Sequence, residues 1–296
     1  MPLHSLTRYR PAAALAAAAA LMLTLSACSQ GPTSGTPAAG TAPSTAASGL
    51  PSSHVHGLGV NRETDQVLLA THEGLFDVTK SPATKIGDTN DLMGFTAATD
   101  QGVFYASGHP GPGSNLPNPM GLIKSADGGK TWEQLSRQGE SDFHALATTK
   151  SGIIAYDGAL RTSPDGKTWA DVPAEFVPAV LAGNPETDTV LATTRDGLQR
   201  STDGGKTWVL VPTAPVIQFA AFATGTEVFG VEPDGAVQYS ADAGSTWIQT
   251  GSIEGRVQAI TAVKKGEGKP WIWAATTEGL AVSTDGGTTF RSASDS

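Results

Sequence analysis

Apart from His4, the chain has five histidines: His54, His56, His72, His109 and His144. None lies beyond residue 144, so imidazole chemistry is confined to one stretch of the sequence. His54 and His56 belong to His-Val-His-Gly, and on a strand a spacing of two turns both side chains to one face. His72 lies in Ala-Thr-His-Glu-Gly, His109 in Ser-Gly-His-Pro and His144 in Asp-Phe-His. Neutral imidazole is the commonest transition-metal ligand. Three or more histidines with a carboxylate suit Zn²⁺, with Asp91 or Asp142 as ligand or as support for a ligand. Met93 and Met120 add thioether sulfur, which favours copper as Cu(I). A single such histidine is ordinarily a hydrogen-bonded loop residue; convergence of five is what points to a metal. Without metal, the same groups suit acid–base chemistry, with Glu73 and Asp142 as the catalytic carboxylates.

What brings these residues together is an internal repeat. Ser125-Ala-Asp127-Gly-Gly-Lys-Thr-Trp132 returns as Ser163-Pro-Asp165-Gly-Lys-Thr-Trp169 and Ser201-Thr-Asp203-Gly-Gly-Lys-Thr-Trp208. Two further copies are Ser240-Ala-Asp242-Ala-Gly-Ser-Thr-Trp247 and Ser283-Thr-Asp285-Gly-Gly-Thr-Thr-Phe290. The period of roughly 40 residues is that of a four-stranded propeller blade. In each copy the aspartate can accept from its own turn's N–H groups, glycines supply positive φ, and the aromatic residue starts the next strand. The motif resembles the Asp-box, or BNR repeat, which joins the third and fourth strands of a blade. The aspartates are therefore read as structural and peripheral.

Second strands are expected at 67–70, 103–106, 153–156, 190–193, 228–231 and 272–275. That makes six blades in an all-β β-propeller over residues 51–296, the first lacking a box where Lys80-Ser-Pro-Ala-Thr84 stands. Inner strands are expected at 143–148 and 257–263. Loops into the first strand and loops from the second to the third share one face of a propeller. All five histidines then fall on that face in blades 1–3, and the insertion 110–119 could fold over it as a lid.

The N-terminus carries Arg8 and Arg10, an apolar run from Ala12 to Leu25, and Leu25-Ser-Ala-Cys28. The run is short for a membrane span and has the layout of a secretory signal peptide. Its ending resembles the lipobox of bacterial lipoproteins, which implies cleavage after residue 27 and lipid on Cys28, the one cysteine in the chain. Residues 28–50, rich in Gly, Pro, Ser, Thr and Ala, are read as a flexible tether. The implied location is the extracytoplasmic side of a bacterial membrane. Without Arg8 and Arg10 the formal charge moves from −9 to −11. Such an acidic chain lacks the basic surface of a general nucleic-acid binder. Only 16% of residues are charged, and 35 glycines and 19 prolines suit short strands and tight turns rather than a helical bundle.

The motifs around the histidines resemble a family of bacterial extracytoplasmic BNR-repeat proteins of glycosyl-hydrolase-like, sialidase-superfamily type. The resemblance spans about residues 53–292 and implies a propeller, with a small glycan as partner. A sialidase would need an arginine triad, and only Arg195 maps to the relevant loops. Other glycosidases need two carboxylates flanking the scissile bond. The fold also resembles photosystem II assembly-type propellers, which implies a protein-binding scaffold. The favoured reading is a membrane-anchored propeller that binds Cu or Zn at its His-rich face. A carbohydrate-active protein and a protein-binding scaffold are the alternatives.

Overall fold

The computed structural model describes residues 49–295 apart from Ser52 and Thr99. The expected signal peptide over 1–27, Cys28 and the expected tether as far as residue 48 lie outside the described residues. Among the described residues, 24 strands form six four-stranded antiparallel sheets, each built from four consecutive strands. These are the six blades, over 55–86, 91–136, 145–171, 178–210, 219–252 and 257–292. A short 3₁₀ turn, Ala293–Asp295, follows the last blade.

Strand chemistry sorts by distance from the axis. Second strands such as Val67–Thr71 are buried along their whole length because blades stack against both of their faces. Fourth strands such as Ala170–Asp171 and Val209–Leu210 are exposed on the rim. First strands line a central cavity of about 200 Å³. There they crowd, and crowding selects glycine: a Cβ on Gly94 would stand 2.2 Å from the Phe143 carbonyl oxygen of the next blade. The first and last blades close by packing, with Leu50, Val55 and Val60 in one core with Trp273, Leu280 and Val282. Leu50 is thus anchored in the core, at the end of the expected tether.

All five Asp-boxes form. In the first, Asp127 Oδ1 accepts from the N–H groups of Lys130 and Thr131 at 3.0 Å, and Ser125 Oγ accepts from Gly129 at 2.8 Å. Each box presses on the preceding blade. A Cβ on Gly129 would lie 2.1 Å from Leu75 Cδ2, and Gly129 has φ +88°. Burial alone would raise the carboxyls of Asp242 and Asp285, but hydrogen bonds from Thr246 and Thr289 outweigh it and hold both at about 2.

The expected second strands match those observed to within a few residues. The inner strand of blade 3 starts later than expected, at Ala145, leaving Phe143 and His144 in the segment leading to it. That of blade 1 starts at Val55, so His54 also precedes its strand.

Candidate functional site

The face is built on a local irregularity repeated around the ring. The first strand of blade 1 pairs Val55 with Thr71 and Gly57 with Ala70, leaving His56 as a bulged residue. Met93, Ala179 and Gln258 occupy the same bulge in blades 2, 4 and 6. In blades 3 and 5 the corresponding N–H groups, of His144 and Gln218, bond to Tyr156 and Val231 at the end of the second strand. Two residues before each lies an outer position: His54, Asp91, Asp142, Val177, Val216 and Arg256 in blade order. Between the two sits a buried apolar anchor, as with Val55, Leu92 and Phe143. A bulge re-aims side chains, so His54 and His56 come together through it rather than by simple strand alternation.

In blade 1, His54 and His56 meet His72, which rides on the turn from the second strand to the third. Thr71 fixes that turn: its hydroxyl donates to the Gly74 carbonyl at 3.0 Å and accepts from the Glu73 N–H at 3.1 Å. One ligand atom from each histidine lies within 4.8 Å of the others. His56 Nε2 and His72 Nδ1 are 3.3 Å apart, near the roughly 3.3 Å between two ligands of a tetrahedral ion with 2.0–2.1 Å bonds. Asp91 comes from blade 2, its Oδ1 2.8 Å from His72 Nδ1 and 3.9 Å from His56 Nε2. His54 stacks on His72 with ring centroids 5.5 Å apart. Burial, reinforced by the neighbouring His72, pushes His56 down to about 4, so its imidazole is neutral and its lone pair available at pH 7.

A second group forms one blade on. Asp142 Oδ2 is 2.7 Å from His144 Nε2 and 3.1 Å from His109 Nε2. Phe143, wholly buried, anchors this pair: its N–H donates to Ser107 Oγ at 2.9 Å and its ring packs on Trp169 of the blade's Asp-box. Behind it, Ser141 Oγ donates to Asp157 at 2.6 Å, and Arg161 Nε to the same carboxylate at 3.1 Å. His109 is raised above its ordinary value by its hydrogen bond with Asn118, opposed by burial and aided by Asp142 and Asp91. Oxygens of Glu73, Asp91 and Asp142 are buried without a hydrogen-bond partner. An ion pair is a looser contact than a hydrogen bond, which is how Asp91 Oδ1 can face His72 and still lack a well-aligned donor.

The sequence match to the Asp-box motif is direct: residues 199–210 fit the model of the BNR/Asp-box repeat. The chain is a BNR-repeat β-propeller. No curated protein matches its sequence. Among solved structures, the GH74 xyloglucanase from Xanthomonas campestris is similar at 17% identity and TM-score 0.56, over 81% of this chain and 38% of that one. The GH74 enzyme of Niastella koreensis is similar at 16% and 0.56, over 81% and 37%. The extracellular domain of a B. thetaiotaomicron hybrid two-component system gives 13% and 0.52, over 81% and 33%. The propeller spans little more than a third of those enzymes, and at such identities the likeness is one of fold.

Within this BNR propeller the expected site residues separate into His54, His56, His72 and Asp91, and His109, Asp142 and His144. Met93 holds the bulge of blade 2, at the position His56 takes in blade 1. Met120, expected as a sulfur donor, is instead fully buried in the apolar core with Leu92 and Phe95. The insertion 110–119 is a buttress rather than a lid. Gly111 N–H donates to Asn90 Oδ1, Leu116 packs against the core of blades 1 and 2, and Asn118 Oδ1 sits 2.6 Å from His109 Nδ1. The sequence does not reveal Asn118, because an asparagine in a Gly/Pro-rich loop carries no signal of its partner. Several arginines are held locally: Arg161 by Asp157 and Asp171, Arg137 by Asp157 and Glu140, and Arg200 by the Ala243 carbonyl.

Proposed function

We propose that the propeller binds a transition-metal ion, Cu or Zn, through His54, His56, His72 and Asp91. The observation that carries this reading is the convergence of three imidazole ligand atoms within 4.8 Å, with a carboxylate oxygen 2.8 Å from one of them. Two of those nitrogens already have the spacing of ligands on one ion, and the most buried imidazole is neutral. The donor set, nitrogen-rich with one oxygen, suits Zn²⁺ and Cu²⁺. The expected leader over residues 1–27, followed by Cys28, supports a site outside a bacterial membrane on a lipid anchor. The test is metal content by mass spectrometry on full-length chain without a histidine tag, after offering Zn²⁺ and Cu²⁺ separately. Metal lost in His72→Ala is expected; a chain that takes up neither ion overturns the reading.

A second reading, a carbohydrate-active protein, is favoured by the buried unpartnered oxygens of Glu73 and Asp142 on the same face. Two carboxylates beside a cleft are what glycoside hydrolysis requires. The resemblance in fold to a xyloglucanase makes β-glucans the first glycans to screen. Turnover abolished by Glu73→Gln or Asp142→Asn would establish hydrolysis. Glycan and metal both failing to bind would leave a protein-binding scaffold.

A further inference from the structure

On the same face, blades 4 and 5 carry a surface of another kind. The segment leading into the first strand of blade 4 is Val172-Pro-Ala-Glu-Phe-Val177, and that of blade 5 is Val211-Pro-Thr-Ala-Pro-Val216. Their last residues, Val177 and Val216, are 64% and 69% exposed, although water disfavours aliphatic side chains. Next to Val177, a groove of about 810 Å³ lies between blades 3 and 4, lined by Tyr156, Leu160, Val172 and Phe176. Phe176 meets Trp208 edge to face with ring centroids 5.3 Å apart, and Trp208 Nε1 donates to the Gly205 carbonyl at 2.9 Å. That part of the groove is therefore built before anything binds. Exposed Glu175 and Asp196 also line it, and its one cation, Arg195, is 3.8 Å from Asp196 Oδ1. Around the loops of this face in blades 4–6, Glu175, Asp196, Glu232, Asp234, Glu254 and Glu278 stand against Arg195 and Arg256.

We infer that the groove between blades 3 and 4 docks a basic segment of a partner protein. An apolar side chain fills the groove, and flanking lysines or arginines lie over Glu175 and Asp196. An apolar anchor in a ready-made pocket with a charged rim is the usual anatomy of a protein interface. The acidic rim draws in a basic partner and repels an acidic one. Valine, proline and aliphatic walls match an apolar side chain better than the hydroxyls of a sugar. The groove adjoins the histidine half of the face, since the Tyr156 carbonyl accepts from the His144 N–H at 3.1 Å. It uses none of the blade 1 donors, so the inference holds with or without an ion there.

Full-length chain, with EDTA present so that no peptide is held through a metal, is panned against a random heptapeptide library on phage. The expected consensus is an apolar residue flanked by lysine or arginine, and the matching synthetic peptide should bind in fluorescence anisotropy. Val177→Ser should weaken that peptide about 10-fold, the worth of burying one valine side chain. Glu175→Gln combined with Asp196→Asn should also weaken it, and should flatten its dependence on salt. All three positions are exposed, so these variants should fold, which circular dichroism checks. His72→Ala should bind the peptide as wild type does, and loss of binding there would move the peptide to the blade 1 group and overturn the groove. No enrichment, an acidic consensus, or a peptide indifferent to either set of changes also overturns the inference. So does a xyloglucan oligosaccharide that displaces the peptide, which would make the groove a glycan site.

Discussion

The turn Thr71-His72-Glu73-Gly74 of blade 1 and the turn Thr194-Arg195-Asp196-Gly197 of blade 4 are held by the same two hydrogen bonds. In each, the threonine hydroxyl donates to the glycine carbonyl and accepts from the N–H of the acidic residue. Blade 6 repeats it with Thr276 and Glu278. The backbone is shared and the residue after the threonine is free to vary: His72, Arg195 and Thr277. Likewise, the outer position ahead of each inner strand is His54, Asp91 or Asp142 in blades 1–3, but Val177, Val216 or Arg256 in blades 4–6. Val177 and Val216 are largely exposed. Chemistry on this molecule is therefore a matter of which blade carries which cargo, since the frame is the same all round.

The largest effect should come from exchanging that cargo. His72→Arg places in blade 1 the residue blade 4 tolerates, so the turn should fold unchanged. Metal affinity of the blade 1 group should fall by more than the ~10–100-fold typical of a lost outer partner, because a ligand itself is gone. Isothermal titration with Zn²⁺ measures it, and near-normal affinity would mean that His72 is not a ligand. Next in size is Phe143→Ala. Phe143 is wholly buried between Asp142 and His144 and packs on Trp169, so truncation should cost about 3–5 kcal/mol in urea unfolding. The matching change in a blade without cargo, Ile217→Ala, should cost about 2–5 kcal/mol yet leave metal content alone. If Phe143→Ala unfolds as easily as wild type, the support assigned to the second group is wrong.

The fold was legible because its signals are local. Each Asp-box announces its own turn within eight residues, and five copies at one period leave little choice but blades. The face was legible only in outline, since loop position around a ring predicts which side a residue lies on and not which neighbour it touches. The loop positions of all five histidines in blades 1–3 place them on one face. That Asp91 serves blade 1 while Asp142 gathers His109 and His144 depends on how the blades abut. Met120 shows the same limit: it follows the insertion in sequence, yet the chain turns there and carries the side chain into the core. Asn118 was invisible for the complementary reason, since its partner is set by the path of the loop.

A smaller effect separates blades 2–6, which have boxes, from blade 1, which lacks one. The carboxyls of Asp242 and Asp285 are held at about 2, from an ordinary 3.8, by hydrogen bonds that outweigh burial. That of Asp165 is held at about 2 by the N–H groups of Thr168 and Lys167. Folded values below unfolded ones mean that the ionised boxes stabilise the fold fully above pH 4. Protons reach the unfolded chain first as the pH drops, so this contribution is lost between about pH 4 and pH 2. The melting temperature should fall across that window, and Asp242→Asn should flatten part of the fall while lowering the plateau above it. A melting temperature independent of pH from 5 to 2 would show that the boxes are held by backbone geometry rather than by their charge.

The smallest expected effect tests whether blades 4–6 are plain frame. Val177→Ser and Val216→Ser remove apolar side chains that are 64% and 69% exposed, at the positions where blades 2 and 3 carry Asp91 and Asp142. Both side chains lie mostly in solvent and carry no hydrogen-bonding group, so stability should stay within about 0.5 kcal/mol of wild type. Zinc content should be unchanged, because these blades bring no donor to either group. A measurable loss of metal in Val216→Ser would mean that the far half of the ring bears on the site, and the division between cargo and frame would have to be redrawn. Unchanged metal and stability would leave these valines as apolar surface beside a polar site, in the way a pocket combines apolar walls with a few placed polar groups.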